Sequence, residues 1–226
     1  DIAYCARADE QPRFYANDHS RDTVMVEAIA MTMINGREAQ TSLAREGFAL
    51  VSHKSAVADF TDREDVSAVH PTEIEALLLR ETGADLVIVT GPGVLRFSER
   101  SGKAGSLDNS MPARFAHVDI TAGTAKEFAA RSAPAGKSVA RFAHYNVWRA
   151  FSPPPQDVPL AVCDARTVAA TDLIKADAIF DVKDAPEWSF EAWIVAHNSD
   201  HRWHWFPDMN RDEVIIFKTS ESDISQ

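Results

Sequence analysis

Apolar and polar positions change rhythm several times along this chain. Residues 10–18 read as an irregular entry. Val24 to Ile34 alternates in the manner of a strand. Arg37 to Glu46 is rich in helix formers and stops at Gly47, a helix-closing residue, so a helix is predicted there. Phe48 to Ser52 predicts a short strand. Asp62-Arg63-Glu64-Asp65 places carboxylates where the positive end of a helix dipole would sit. His70-Pro71-Thr72-Glu73 predicts the start of a further helix, with Thr72 as cap and Ile74, Leu77 and Leu78 on one face. Leu86 to Thr90 reads as a buried strand closed by Gly91-Pro92-Gly93.

From about residue 113 the texture becomes that of strands. They are predicted at Ala113 to Ile120, Val139 to Phe151, Val158 to Asp164, Ser189 to Ala196, Trp203 to Phe206 and Glu213 to Thr219. One short helix, about Ala122 to Arg131, interrupts them. Ser152-Pro153-Pro154-Pro155-Gln156-Asp157 reads as a rigid loop between strands, since three prolines cannot sit in a central strand. The expected fold class is therefore α+β: an antiparallel barrel or sandwich, with the helices of the first half packed outside it.

The 226 residues suit one large domain or two small ones. A formal net charge of −11 and the lack of Lys/Arg runs argue against nucleic acid as partner. The longest apolar runs, such as Leu86-Val87-Ile88-Val89, fall far short of the ~20 residues of a membrane helix, so no membrane partner is expected. Two cysteines, Cys5 and Cys163, make neither a disulfide framework nor a thiolate cluster, and a cytoplasmic protein is expected.

The sharpest chemical signal is His117-Val118-Asp119. On a strand, residues i and i+2 share a face, so an imidazole and a carboxylate project into one space. That is two thirds of the 2-His-1-carboxylate set that holds non-haem Fe(II). The bare motif is unspecific: chance supplies roughly 0.7 matches in a chain of this composition. A salt-bridged pair on a sheet face is the competing reading. Asn146 and Trp148 fall on one strand face, and Tyr145, Val147 and Arg149 on the other. Arg149 could clamp a carboxylate or pair with Asp157 or Asp164. Lys218 ends an apolar strand, either facing solvent or meeting an anionic ligand. His197, His201 and His204 suit a hairpin turn with aromatic packing better than a metal site. Gly91-Pro92-Gly93 lacks the rest of a phosphate loop, no Gly-x-Ser-x-Gly elbow exists, and Cys163 reads as packed.

Taken in order, Phe14-Tyr15, Ala116-His117-Val118-Asp119, Asn146-Val147-Trp148-Arg149, Pro159 through Arg166, and His201-Arg202-Trp203 through Asp212 to Lys218 resemble the CmcJ/NvfI and AsaB-like hydroxylase/desaturase family. The resemblance implies a double-stranded β-helix (jelly-roll) core using Fe(II), 2-oxoglutarate and O₂ to hydroxylate, desaturate or cyclise a small specialised metabolite. It implies His117 and Asp119 as iron ligands. It also implies a single oxygenase domain over residues 1–226 whose third ligand, a His, and whose 2-oxoglutarate-anchoring Arg lie on C-terminal strands beyond Gln226. Asn146, Trp148, Arg149 and Lys218 are expected around the co-substrate or substrate. Two other classes compete: a non-catalytic cupin-like binding module, and a Zn-dependent hydrolase or isomerase with the same ligands. Oligomeric state is open, a homodimer included.

Overall fold

The structure, a computed structural model, describes residues 1–223. The elements follow in order as β1 (Ile2–Cys5), β2 (Arg13–Tyr15), β3 (Val26–Ile29), β4 (Met33–Asn35), β5 (Phe48–Ser52), α1 (Arg63–Thr82), β6 (His117–Val118), α2 (Ala122–Ser132), β7 (Ala143–Trp148), β8 (Ala161–Cys163), β9 (Leu173–Phe180), β10 (Trp188–Val195), β11 (Trp203–Trp205) and β12 (Glu213–Glu221). Strands dominate, in four sheets ordered β1-β3, β2-β9-β10-β6, β4-β11-β8 and β5-β12-β7.

β12 explains the layering. Val214, Ile215 and Ile216 are all fully buried, which a strand achieves only when both faces are covered. On one side Val214 and Ile216 meet Ile74, Leu77 and Leu78 of α1. On the other, Ile215 joins Phe48, Ala150, Val162, Phe206 and Met209 in an inner core, with Trp148 and Phe217 packed against it. A second apolar cluster, of Cys5, Ala176 and Ile194 with Phe14 and Phe115, fills the space under β9 and β10.

Several predicted elements stand: β5, α2, β10 and β12 lie where the pattern put them, within a residue or two. Others are corrected. Residues 63–82 form one helix, not two. Asp62 caps it, accepting from the Glu64 and Asp65 amides, and Pro71 lies inside it. Val66, Ile74, Leu77 and Leu78 make a single apolar stripe across the proline, and packing on β12 holds the helix through the missing N–H. The predicted helix at Arg37–Glu46 is a run of turns. There the buried Glu46 carboxylate accepts from the Ser42 amide at 2.8 Å and from Arg166 at 2.8 Å, side-chain bonds that compete with a helical ladder. Gly47 does carry a left-handed φ of +86°. Leu86–Thr90 is extended but unpaired: Val87 and Val89 pack towards α1, while Leu86 and Ile88 stay exposed. Val24–Ile34 divides into β3 and β4, and the irregular entry contains β2. Three longer predicted strands shrink to β6, β7 and β8. β1 and β9 were not anticipated. The His197–Trp205 region is no hairpin, because β10 and β11 belong to different sheets.

At the end of β12, Glu221 is nearly enclosed and bonded by Arg141 at 2.7 Å and Lys218 at 3.3 Å. Burial alone would raise its carboxyl; the bond from Arg141, then the Asp223 amide and Lys218, bring it down to about 2. Its stabilisation is therefore full above the ordinary glutamate range and lost as pH falls towards 2. Glu221→Gln is expected to cost roughly 1–2 kcal/mol at neutral pH, the difference from wild type shrinking in acid; urea titrations across pH check this.

Candidate metal and substrate site

The site begins with two residues of backbone pairing. β6 hangs on the edge of β10 through Ile194↔His117 and Trp193↔Val118. The Ala116 amide reaches the Ala3 carbonyl at 2.7 Å, and the Thr121 amide that of Glu191 at 3.0 Å, so the segment is held at both ends. His117 and Asp119 then share a face, as the spacing predicts, with Nε2 and Oδ1 3.3 Å apart.

The imidazole is oriented from behind. His117 Nδ1 donates to the Phe115 carbonyl at 2.9 Å, since a carbonyl only accepts. Nε2 is thereby aimed at the carboxylate. Asn146, on the inner face of β7, donates through Nδ2 to Asp119 Oδ2, leaving Oδ1 facing the imidazole. Burial works against a charged His117, but the bond and charge of Asp119 prevail and raise its pKa. Burial likewise opposes ionisation of Asp119, yet His117, Asn146 and the charge of Arg96 hold its carboxyl below the usual range. Many protein atoms crowd the pair, but water still reaches it: the side chains keep 27% and 40% of their surface exposed.

The open side faces a cavity of about 120 Å³, lined by the pair together with Arg96 and the rings of Phe14, Phe115, Phe180 and Phe190. A larger, shallower depression around Arg166, Asn198 and Arg202 lies among surface loops and contains neither member of the pair.

The other predicted residues divide by strand parity. Trp148 shares the inner face of β7 with Asn146 and packs on the inner core. Lys218, opposite Tyr145, belongs to the face that meets α1, and its Nζ lies 3.3 Å from Glu221. Arg149, just past β7, donates to the carbonyls of His53 at 2.8 Å and Arg211 at 2.5 Å, with its guanidinium 5.7 Å from the Phe60 ring centroid. The structure thus does not bring Arg149 or Lys218 to the His117–Asp119 pair. Neither pairing considered for Arg149 forms: Asp164 is bonded by Arg166, and Asp157 by Ser98. His201 is buried between Asp172 and the Tyr4 hydroxyl, at 3.1 and 3.0 Å, and Trp203 also donates to that hydroxyl, at 2.6 Å. The expected aromatic packing is present. Among the described residues no group of three or more His, Cys, Asp or Glu is placed to hold a metal ion. Cys163 is half-buried, its thiol pushed up to about 11 by burial.

Residues 2–226 match the family model described as YDMC: Oxidoreductase/YMDC permease-like domain. The chain belongs to this family. It is 30% identical over 189 residues to the alpha-ketoglutarate-dependent dioxygenase phiK of Fungal sp. (strain ATCC 74256), covering 80% of this chain and 66% of that one. It is also 30% identical over 205 residues to the hydroxylase/desaturase CTB9 of Cercospora beticola, covering 83% and 63%. These relatives bear out the resemblance to hydroxylases and desaturases, and this member of the family spans just under two thirds of their length. Its fold is that of the iron and alpha-ketoglutarate-dependent endoperoxidase NvfI: TM-score 0.76 at 21% identity, over 99% of this chain and 84% of that one. No helix among the described residues is long and apolar enough to cross a membrane, the word permease notwithstanding.

Arg96, His19 and Ala178 also line the cavity, and sequence reasoning missed them. Arg96 carries no motif. Ala178 lies on β9, whose alternation of Ile174, Ala176, Ala178 and Phe180 was the available signal. Because Asp119 holds the His117 proton, Asp119→Asn is expected to lower the His117 pKa, moving its imidazole titration to more acidic pH in proton NMR.

Proposed function

We propose that this chain is a non-haem Fe(II)- and 2-oxoglutarate-dependent dioxygenase that hydroxylates, desaturates or cyclises a small specialised metabolite. The observation that carries the reading is the His117–Asp119 geometry. A tautomer-fixed imidazole nitrogen and a carboxylate oxygen converge on the mouth of an apolar cavity. The donor set fits the metal. One borderline nitrogen and one hard oxygen suit Fe(II), and each is steadied from behind, by the Phe115 carbonyl and by Asn146, as ligating groups ordinarily are. The names of the relatives and the likeness of fold support the same reading.

In this reading the four sheets form a double-stranded β-helix, and residues 1–226 belong to one oxygenase domain. The third ligand and the Arg for the distal carboxylate of 2-oxoglutarate are assigned outside the described residues. When bound, the iron with 2-oxoglutarate and O₂ supplies the oxidising chemistry. The chain's residues do the rest. His117 gives Nε2 and Asp119 gives Oδ1. Phe115 holds the proton on Nδ1, the tautomer whose Nε2 lone pair is free for a metal ion. Asn146 keeps Oδ2 from rotating into the ligand position. Trp148, on the same strand face as Asn146, packs on the inner core, and the phenylalanine rings offer the substrate an apolar wall. Free Cys5 and Cys163 agree with a cytoplasmic setting.

The intact protein is expected to bind Fe(II) anaerobically, to develop a visible charge-transfer band with 2-oxoglutarate, and to release succinate in air when its substrate is present. His117→Ala and Asp119→Ala should each lower Fe(II) affinity by on the order of 100-fold or more. Intact protein that takes up no Fe(II) would end the proposal. The metal must also displace a proton that Asp119 helps His117 retain. Fe(II) affinity is therefore expected to fall with decreasing pH, beginning above the ordinary imidazole range, as isothermal titration at stepped pH would show.

A further inference from the structure

The cleft beyond the metal pair is lopsided in its chemistry. Of the buried alanines here, Ala178 lines the cavity and opposes Phe190, while Ala176 and Ala192 oppose each other across β9 and β10 on the same sheet face. Sheet interiors usually carry larger branched residues at such positions, so Ala178 leaves room at the base of the cavity. Rings stand around it. Phe14 and Phe115 meet edge to face at 5.2 Å, and Phe180 and Phe190 lie 5.4 Å apart. Phe180 is stacked 4.3 Å from Trp188, which is half exposed, so the aromatic row runs from the cavity to the surface.

One charge faces this apolar wall with no carboxylate in ion-pair contact, Asp119 acting on it only through its charge at longer range. Arg96 is fixed through Nη1 alone, to the Asn109 carbonyl and side chain and to the Met111 carbonyl at 3.1 Å. Among the described residues, Nε and Nη2 take no partner and no carboxylate forms an ion pair with Arg96. The other charged groups of the wall are engaged: Arg114 with Glu99 at 2.8 Å, Asp22 with the Tyr15 amide at 2.8 Å, and Asp119 with His117 and Asn146. His19 Nδ1, in the same wall, is buried without a partner. A guanidinium is always charged and presents a fork shaped for a carboxylate.

Resting on the oxygenase reading above, we infer that the substrate is a carboxylate-bearing molecule with a flat apolar ring system. The ring lies on Ala178 between the phenylalanines, and the carboxylate meets the free edge of Arg96. The cavity, about 120 Å³, admits one end of such a molecule and leaves the remainder in the aromatic mouth. A small dicarboxylate such as 2-oxoglutarate has no use for the rings.

The test is a fluorescence titration of intact protein in chelator, free of metal, with 2-naphthoate and its neutral isostere 2-naphthamide. 2-Naphthoate is expected to bind tighter by on the order of tenfold. Arg96→Gln removes that preference and leaves naphthamide affinity unchanged. Arg96→Lys, which keeps the charge but not the fork, retains only part of it. Ala178→Leu weakens both probes, and Arg100→Gln changes neither. Equal affinities in wild type, binding of neither probe, a preference undiminished in both Arg96 variants, or displacement of naphthoate by millimolar 2-oxoglutarate would each overturn the inference. Because no metal is present, failure here is distinct from failure to take up Fe(II).

Discussion

The hydrogen bond from Asn146 to Asp119 is the tie on which the site depends. Asn146 stands in the β5-β12-β7 sheet, whereas Asp119 follows β6 of the β2-β9-β10-β6 sheet. One side-chain bond therefore joins two layers at the point where chemistry is expected. A strand of two residues has little stiffness of its own, and β6 takes its position from β10 and from the backbone bonds at its ends. A slip of one residue in that pairing would turn both His117 and Asp119 to the other face. His117 pairs directly with Ile194 and so shares its face with Ile194 and Ala176, whereas the other face carries Trp193 and the Lys175–Glu191 pair.

The two faces of the β12 sheet divide the labour. The inner face carries Asn146 and Trp148 with Phe48, Ile215 and Phe217. The outer face packs α1 and gathers a separate polar knot, in which Arg149 holds the carbonyls of His53 and Arg211 while Glu73 accepts from the Ala56 amide. Arg149 resembles a ligand clamp when read as a letter in a motif. In the fold its donors bond the backbone carbonyls of His53 and Arg211 and so tie two loops together, a structural duty.

How much of this the sequence disclosed follows from the range of each interaction. The His-x-Asp pair and the face shared by Asn146 and Trp148 were legible because period-2 geometry is local. Strand parity says which residues share a face, not which face looks inward, so the sequence could not tell that Lys218 and Arg149 lie away from the His117–Asp119 pair; α1 packing on Val214 and Ile216 decides that. The Arg37–Glu46 helix failed because Glu46 is claimed by Arg166, 120 residues away. One helix was read as two because Pro71 is a strong local stop that tertiary packing overrides. Arg96 was invisible: its place beside Asp119 depends on carbonyls of Asn109 and Met111 in a loop with no repeating pattern.

Interleaving of the chain's two ends has a kinetic meaning. β2 lies parallel to β9, pairing Arg13 with Asp177, and β4 lies parallel to β11, pairing Met33 with Trp203. Neither early strand has a sheet to join until its late partner exists, so closing those long loops must precede any gain from pairing. On the ribosome the first hundred residues would emerge with apolar edges uncovered and wait for the rest of the polypeptide, a state that calls for chaperone shelter during synthesis.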